Sequence, residues 1–233
     1  MSKNLVHEID EQGNVLITCY SSGDLVEQDL GVLRVSSRAV SRASPILEDL
    51  IYHSYFPKTK QEPQIKQEPG TELPDDCRRD TEIRLMTKTL ESAIVAMNII
   101  HHNIDKLPKA MSLLQLYNLC SLCDRYKLKV VTTFAVEKWI TPLWNTAFAF
   151  EGGVQTSEVY RMLRNQRTHP LHTDLPRWLW VGYVSQHQDI RKVCTYGAVI
   201  AIKSTEESAY TVNNIALHPG MTSQIKGVLA LKL

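Results

Sequence analysis

Cys120 and Cys123, separated by two residues, are the positions in this sequence whose type and spacing most invite chemistry. Two thiolates at that spacing can chelate zinc or exchange disulfides, and with nearby histidines they would make a small metal-thiol or enzymatic protein. Zinc takes four ligands, however, and no second C-x-x-C or H-x-x-x-H pair is present. Both cysteines fall on the apolar stripe of a predicted helix with Leu113 and Leu116, which favours compact packing residues over ligands. His101 and His102 are adjacent, and consecutive helix positions point roughly 100° apart, so they are poorly disposed to share one ion. One is expected at the edge of the core and the other in water. His169 and His172 fall in proline-bearing loop sequence. No G-x-S-x-G, Walker A or G-x-G-x-x-G pattern occurs, which removes the usual nucleophile elbows and phosphate cradles. The reading is therefore of a chain that is not an enzyme, with no catalytic, cofactor-binding or metal site. One further motif stands apart from this. Ile65-Lys66-Gln67-Glu68 fits the hydrophobic-Lys-x-acid pattern of a SUMO acceptor, with an unmodified solvated linker as the alternative.

The composition is that of an ordinary folded protein. Apolar residues make up 43% and charged residues 22% of 233, ordinary values for a folded domain. Lys plus Arg number 26 against 25 Asp plus Glu, and a net charge of +1 leaves no global field to hold nucleic acid. Every apolar stretch is interrupted by a charged residue or histidine before reaching the ~20 residues of a membrane helix. The first residues carry acids and no signal-peptide core, and the five cysteines are odd in number and scattered. An intracellular setting, cytoplasmic or nuclear, is expected, with reduced thiols.

The elements that would position these residues begin with a hairpin. VLITCY (15–20) and VLRV (32–35) are β-rich runs, and Gly23-Asp24 between them signals a turn. Ser36 or Ser37 can cap a first helix, and Ser44-Pro45 opens a second, with Ser as cap and Pro where its missing N–H is harmless. Ile46, Leu47, Leu50 and Ile51 share one face of that helix. Residues 57–80 hold four prolines and almost no large apolar side chain, which predicts a mobile surface insertion. TEIRLMT (81–87) alternates as a strand returning to the hairpin. Three helices follow: LESAIVAMNIIHH; a segment opened by the Ser112–Gln115 capping box; and VVTTFAVEKWI, ending before Pro142. Beyond 142 the pattern weakens, apart from DLPRWLWVGYVSQHQDIRKVC, a helix with Asp174 as cap and Trp178, Val181 and Val184 as its stripe.

Two blocks in this order carry a family resemblance. RVSSRAVSRASPILEDL (34–50) resembles the strand, R-V-S-S, helix, A-S-P block of fungal BTB/POZ proteins. AMNIIHHNIDKLPKAMSLLQLYNLCSLCDRYKL (96–128) is similar to that family's paired-helix block, with Cys123-Asp124-Arg125-Tyr126 where it usually ends Ala-Asp-Lys-Tyr. FAVEKWI and LPRWLWVGYV resemble the helices that follow, so the likeness runs in order from about residue 13 to 192. It departs at Leu47, where the family has Phe, and at the 57–80 insertion. The resemblance implies an α+β fold: a BTB/POZ-like domain over 1–141, a small sheet packed on a cluster of helices, followed by a helical extension over 142–233. It implies a non-catalytic protein–protein interaction module that homodimerises and serves as a ubiquitin-ligase substrate adaptor, with a cullin-type scaffold as partner, or as a transcriptional cofactor. By analogy with the family, Ile46, Leu47, Leu50 and Ile51 lie near a self-association face, the alternative being the core.

Overall fold

The computed structural model describes residues 6–22, 26–55, 81–147, 170–204, 211–212 and 215–216. The fold is mixed α+β. By internal contacts the chain divides into two compact units, Met1–Lys109 with Ser121–Val131, and Ala110–Cys120 with Thr132–Leu233.

The first unit is built on a four-stranded sheet of order β1-β3-β2-β4. Strands β2 (Val15–Ser22) and β3 (Glu27–Val35) form the expected antiparallel hairpin, while β4 (Thr81–Met86) runs parallel to β2 with Ile17 opposite Ile83 and Cys19 opposite Leu85. Alternation decides the faces. Val15, Ile17, Cys19, Leu33, Val35, Ile83 and Leu85 are buried on one side, whereas Glu82 and Arg84 are exposed on the other. A bulge at Leu30-Gly31 shifts the register between Cys19 and Tyr20. Gly31 takes φ 156°, a backbone conformation that favours glycine, and a Cβ there would also press on the Leu90 side chain, with Cδ2 at 2.8 Å. The sheet also has a strand that periodicity does not disclose: β1 (Val6–Glu8) pairs parallel with β3, held by Arg34 Nε to Glu8 Oε2 at 3.3 Å.

Helices α1 (Ser37–Ala43), α2 (Pro45–Tyr55) and α3 (Leu90–Ile100) belong to the same unit; α1 packs on α2 and α3, α2 reaches β4, and α3 lies on β2 and β3. Helix α3 is buried from Ser92 to Ile100 except at Ile94. Its start is capped by Thr89, whose Oγ1 accepts the Ser92 N–H at 3.3 Å. The start of α1 is not capped as its serines suggest. No side chain of Ser36 bonds the first turn; Asn14 Oδ1 instead accepts the Ser37 N–H at 2.9 Å, and His101 Nε2 accepts the Ser36 N–H at 3.0 Å. Partners from other elements replace the local cap. Helix α4 (Leu113–Tyr126) contributes to both units, and its capping box forms as predicted, Gln115 Oε1 accepting the Ser112 N–H at 2.8 Å and Ser112 Oγ the Gln115 N–H at 3.3 Å.

In the second unit the sequence expectation fails at Pro142. After α5 (Lys129–Ala135) the chain makes a π turn, Val136–Ile140, and continues directly into α6 (Thr141–Ala147). The Thr141 N–H reaches back to Val136 O, five residues away, and Pro142 then sits in the first turn of α6, where its missing N–H is tolerated. The helix expected from Asp174 starts earlier, at Pro170 (α7, Pro170–Val184), and is separated from α8 (Gln188–Ser204) by a break. Asp174 therefore pairs with Arg177 inside the helix, at 2.6 Å, rather than capping it, and His172 is helical rather than in a loop. Trp178 and Val181 are buried, with Val184 only partly so. Trp144 meets Trp178 edge-on, ring centroids 5.1 Å apart. The tail adds a two-residue ladder between β5 (Thr211–Val212) and β6 (Ile215–Ala216). The Gly23-Asp24 turn, the 57–80 insertion and most of the rest of the tail lie outside the described residues.

Candidate interaction surface

The described thiols point inward. Cys120 and Cys123 sit on consecutive turns of α4 at 1% and 3% exposure, and the other described cysteines, Cys19 and Cys194, are at 0%. None of these four is in a disulfide. Burial pushes the Cys19 thiol up from 9.0 to about 12 and that of Cys194 higher still, because a thiolate would lose its hydration there. These are thiols in the protonated, poorly nucleophilic form. Among the described residues, no group of three or more His, Cys, Asp or Glu is placed to hold a metal ion.

His101 is engaged structurally. Its Nδ1 lies 2.8 Å from Met97 O and its Nε2 3.0 Å from the Ser36 N. Only a neutral ring carrying its proton on Nδ1 donates to the carbonyl while accepting from the amide. His102 is exposed and takes φ 58° at the end of α3. His169 and Lys66 lie outside the described residues.

Helix α2 divides the four candidate interface residues by face. Leu47 and Ile51 are 0% exposed and belong to the core, while Ile46 and Leu50 are partly exposed. Helical spacing sets Ile46, Asp49, Leu50 and His53 along one outward strip, and Glu48 is exposed beside it. Asp49 Oδ1 meets His53 Nε2 at 3.2 Å, and the His53 ring stands edge-on to Tyr52, which is 36% exposed. The strip is thus apolar, aromatic and acidic.

What holds this helix is a residue pair that the sequence does not link. Ser44 Oγ accepts the Leu47 N–H at 3.1 Å, as an N-cap should, and donates its own proton to Tyr126 O at the end of α4. Tyr126 in turn accepts the Met86 N–H of β4 on its phenol oxygen at 2.7 Å, and burial raises its pKa. Ser44 and Tyr126 are both buried, 82 residues apart in the chain. The first turn of α2 is therefore fixed beside the turn Arg125–Val130, where Arg125, Lys127, Lys129 and Val130 are exposed, Val130 at 57%. Sequence reasoning found the Ser44 cap but had no signal for its second partner, since hydrogen bonds between distant segments leave no periodicity.

Compared with family models, with curated proteins and with solved structures, the chain matches none. No described helix is long and apolar enough to cross a membrane.

Proposed function

We propose that the chain is a non-catalytic protein-interaction module of the BTB/POZ type, working by surface complementarity, self-associating, and acting as a substrate adaptor for a cullin-type ubiquitin ligase or as a transcriptional cofactor. The observation that carries the reading is the outward strip of α2. A helix pinned at its first turn through Ser44 and seated in the core through Leu47 and Ile51 presents Ile46, Leu50 and Tyr52 on a fixed backbone. Rigid, partly exposed apolar and aromatic side chains are what specific association uses, because little entropy is lost when they are covered. Stable recognition buries ~1,200–2,000 Å² in total, and the strip would form the centre of such a contact. The order of blocks that resembles the family supports the same reading, as does the inward orientation of the thiols, which leaves Cys120 and Cys123 as packing residues. We place the protein inside the cell, in cytoplasm or nucleus, and retain Lys66 as a candidate SUMO acceptor on its Ile-Lys-x-Glu pattern.

The test is affinity capture with the full chain and with the double variant Ile46→Asp, Leu50→Asp, followed by probing for cullins. Recovery of a cullin with the wild type and its loss with the variant supports the adaptor role. A cullin retained equally by both assigns binding elsewhere, and none recovered with either leaves the adaptor role without support. For Lys66, reconstitution with SUMO and its conjugating enzymes should yield a shifted band that Lys66→Arg abolishes.

A further inference from the structure

Parity fixes where the backbone of β4 points. The Thr81 N–H goes to Asn14 O at 3.1 Å and the Thr87 N–H to Tyr20 O at 2.8 Å, and the parallel register sets Leu16 beside Glu82 and Thr18 beside Arg84. The N–H and C=O groups of Thr81, Ile83 and Leu85 therefore face β2, while those of Glu82, Arg84 and Met86 face away from it. Among the described strands β4 ends the sheet, so this second set looks out of its edge. There the Tyr126 phenol oxygen accepts the Met86 N–H at 2.7 Å, which agrees with that direction and covers one end. Among the described residues no partner takes the backbone groups of Glu82 and Arg84. Sheet edges are commonly closed by a proline or a bulge, and β4 has neither a proline nor a shift in its register with β2.

Charge selects what fits this edge. The Glu82 and Arg84 side chains are both exposed, on the face of the sheet opposite the core. Arg84 is engaged by Glu27 at 2.9 Å and Asp29 at 3.5 Å and lies over the Tyr20 ring. β2 carries no charged residue, and α2, which packs on β4, carries Glu48, Asp49 and His53 but no Lys or Arg. Lys88 follows the strand and Arg125 adjoins Tyr126, both at the Met86 end, while Arg38 and Arg42 belong to α1, which packs on α2 and α3. Glu82 makes no ion pair among the described residues, so its carboxylate is the charge that an added strand would meet without a counter-ion. We propose that this edge is a second protein-contact site, which takes an extended segment of a partner protein as an added strand with a Lys or Arg beside Glu82. This rests on the protein-interaction reading above and extends it to a surface other than α2.

The experiment is amide hydrogen exchange by NMR on the full chain, alone and with two probes, the acetylated and amidated peptides Thr-Val-Lys-Val-Thr and Thr-Val-Glu-Val-Thr. In the free chain the Ile83 and Leu85 amides should exchange slowly and those of Glu82 and Arg84 fast. The lysine peptide at about 1 mM should slow the Glu82 and Arg84 amides at least about threefold, and the glutamate peptide should not. Glu82→Pro removes an outward N–H without touching the ladder to β2, and should weaken the lysine peptide about three- to tenfold. Glu82→Lys should abolish its preference over the glutamate peptide. Slow exchange of Ile83 and Leu85 in each variant shows that the ladder is intact; if the proline variant loses it, Glu82→Lys decides alone. The proposal is overturned if Glu82 and Arg84 are already as slow as Ile83 and Leu85 in the free chain, or if both peptides act equally. Slowing that grows with the concentration of the chain alone assigns the edge to a second copy and overturns it as well. None of these outcomes bears on α2, which Ile46→Asp, Leu50→Asp tests separately.

Discussion

Lys127 holds a backbone φ of 55° at the end of α4, a left-handed conformation that helices usually assign to glycine. His102 at 58° after α3 and Gln186 at 57° after α7 do the same. Each is followed by a residue whose N–H returns five positions: Asn103 to Asn98 O at 2.9 Å, Leu128 to Cys123 O at 2.9 Å, and His187 to Gly182 O at 3.1 Å. All three helices end in the same closing motif with a side chain where none is comfortable. Left-handed backbone costs a non-glycine residue about 1–2 kcal/mol, and glycine loses about 0.5–1 kcal/mol in added chain entropy. Lys127→Gly and Gln186→Gly are therefore each expected to raise unfolding free energy by up to about 1 kcal/mol, read from the urea midpoint, and a loss of stability would refute this. Gly31→Ala should act oppositely, since its φ of 156° is one that residues with side chains rarely adopt and the added methyl group would also have to displace the Leu90 side chain, 2.8 Å away. A loss of about 1–3 kcal/mol is expected. Cys19 adds a pH dependence. Its pKa is raised from 9.0 in the unfolded chain to about 12 by burial, so its contribution is complete below about pH 9 and is lost as pH rises through the folded value. Stability should fall by up to about 1.4 kcal/mol per pH unit over that window for this thiol. Urea titrations from neutral pH upward should give a shallower alkaline decline for Cys19→Ala, and equal slopes would contradict the assignment.

At the scale of elements, the hairpin, α2, β4 and α3 were legible because their physics is local. Alternation in VLITCY and TEIRLM names the buried face, and Ser-Pro announces a helix start. The elements that were not legible depend on distant partners. Strand β1 has only three residues, too few for a period, and exists because β3 offers an edge and Arg34 a counter-charge. The helix through Pro142 survives by a π turn that no pattern signals, and the break between α7 and α8 carries Gln186 where a glycine would have marked it. The candidate surface was half legible. Spacing put Ile46, Leu47, Leu50 and Ile51 on one side of α2, but only packing against β4 and α1 separates the core pair from the outward pair. The anchor of that helix is testable. Ser44→Ala removes the acceptor of Leu47 N–H and the donor to Tyr126 O in a buried setting, for an expected loss of about 1–3 kcal/mol. Ser44→Thr, which keeps the hydroxyl, should recover part of it. If Ser44→Ala unfolds at the wild-type midpoint, the anchor is unimportant.

For the molecule as a whole, the described thiols and the outward surface of α2 are segregated. The four described thiols are buried, burial raises the pKa of Cys19 and Cys194, and His101 spends both nitrogens on backbone groups. What faces solvent around α2 is apolar, aromatic and charged by turns, the composition of a contact surface. The most direct measurement is the association constant of the full chain by sedimentation equilibrium, for wild type and for Ile46→Asp, Leu50→Asp. Self-association through α2 predicts a wild-type dimer in the micromolar range or tighter, weakened at least about tenfold in the variant with an unchanged urea midpoint. A wild-type chain that remains monomeric at roughly 100 μM, or a variant that associates as tightly as wild type, would contradict it.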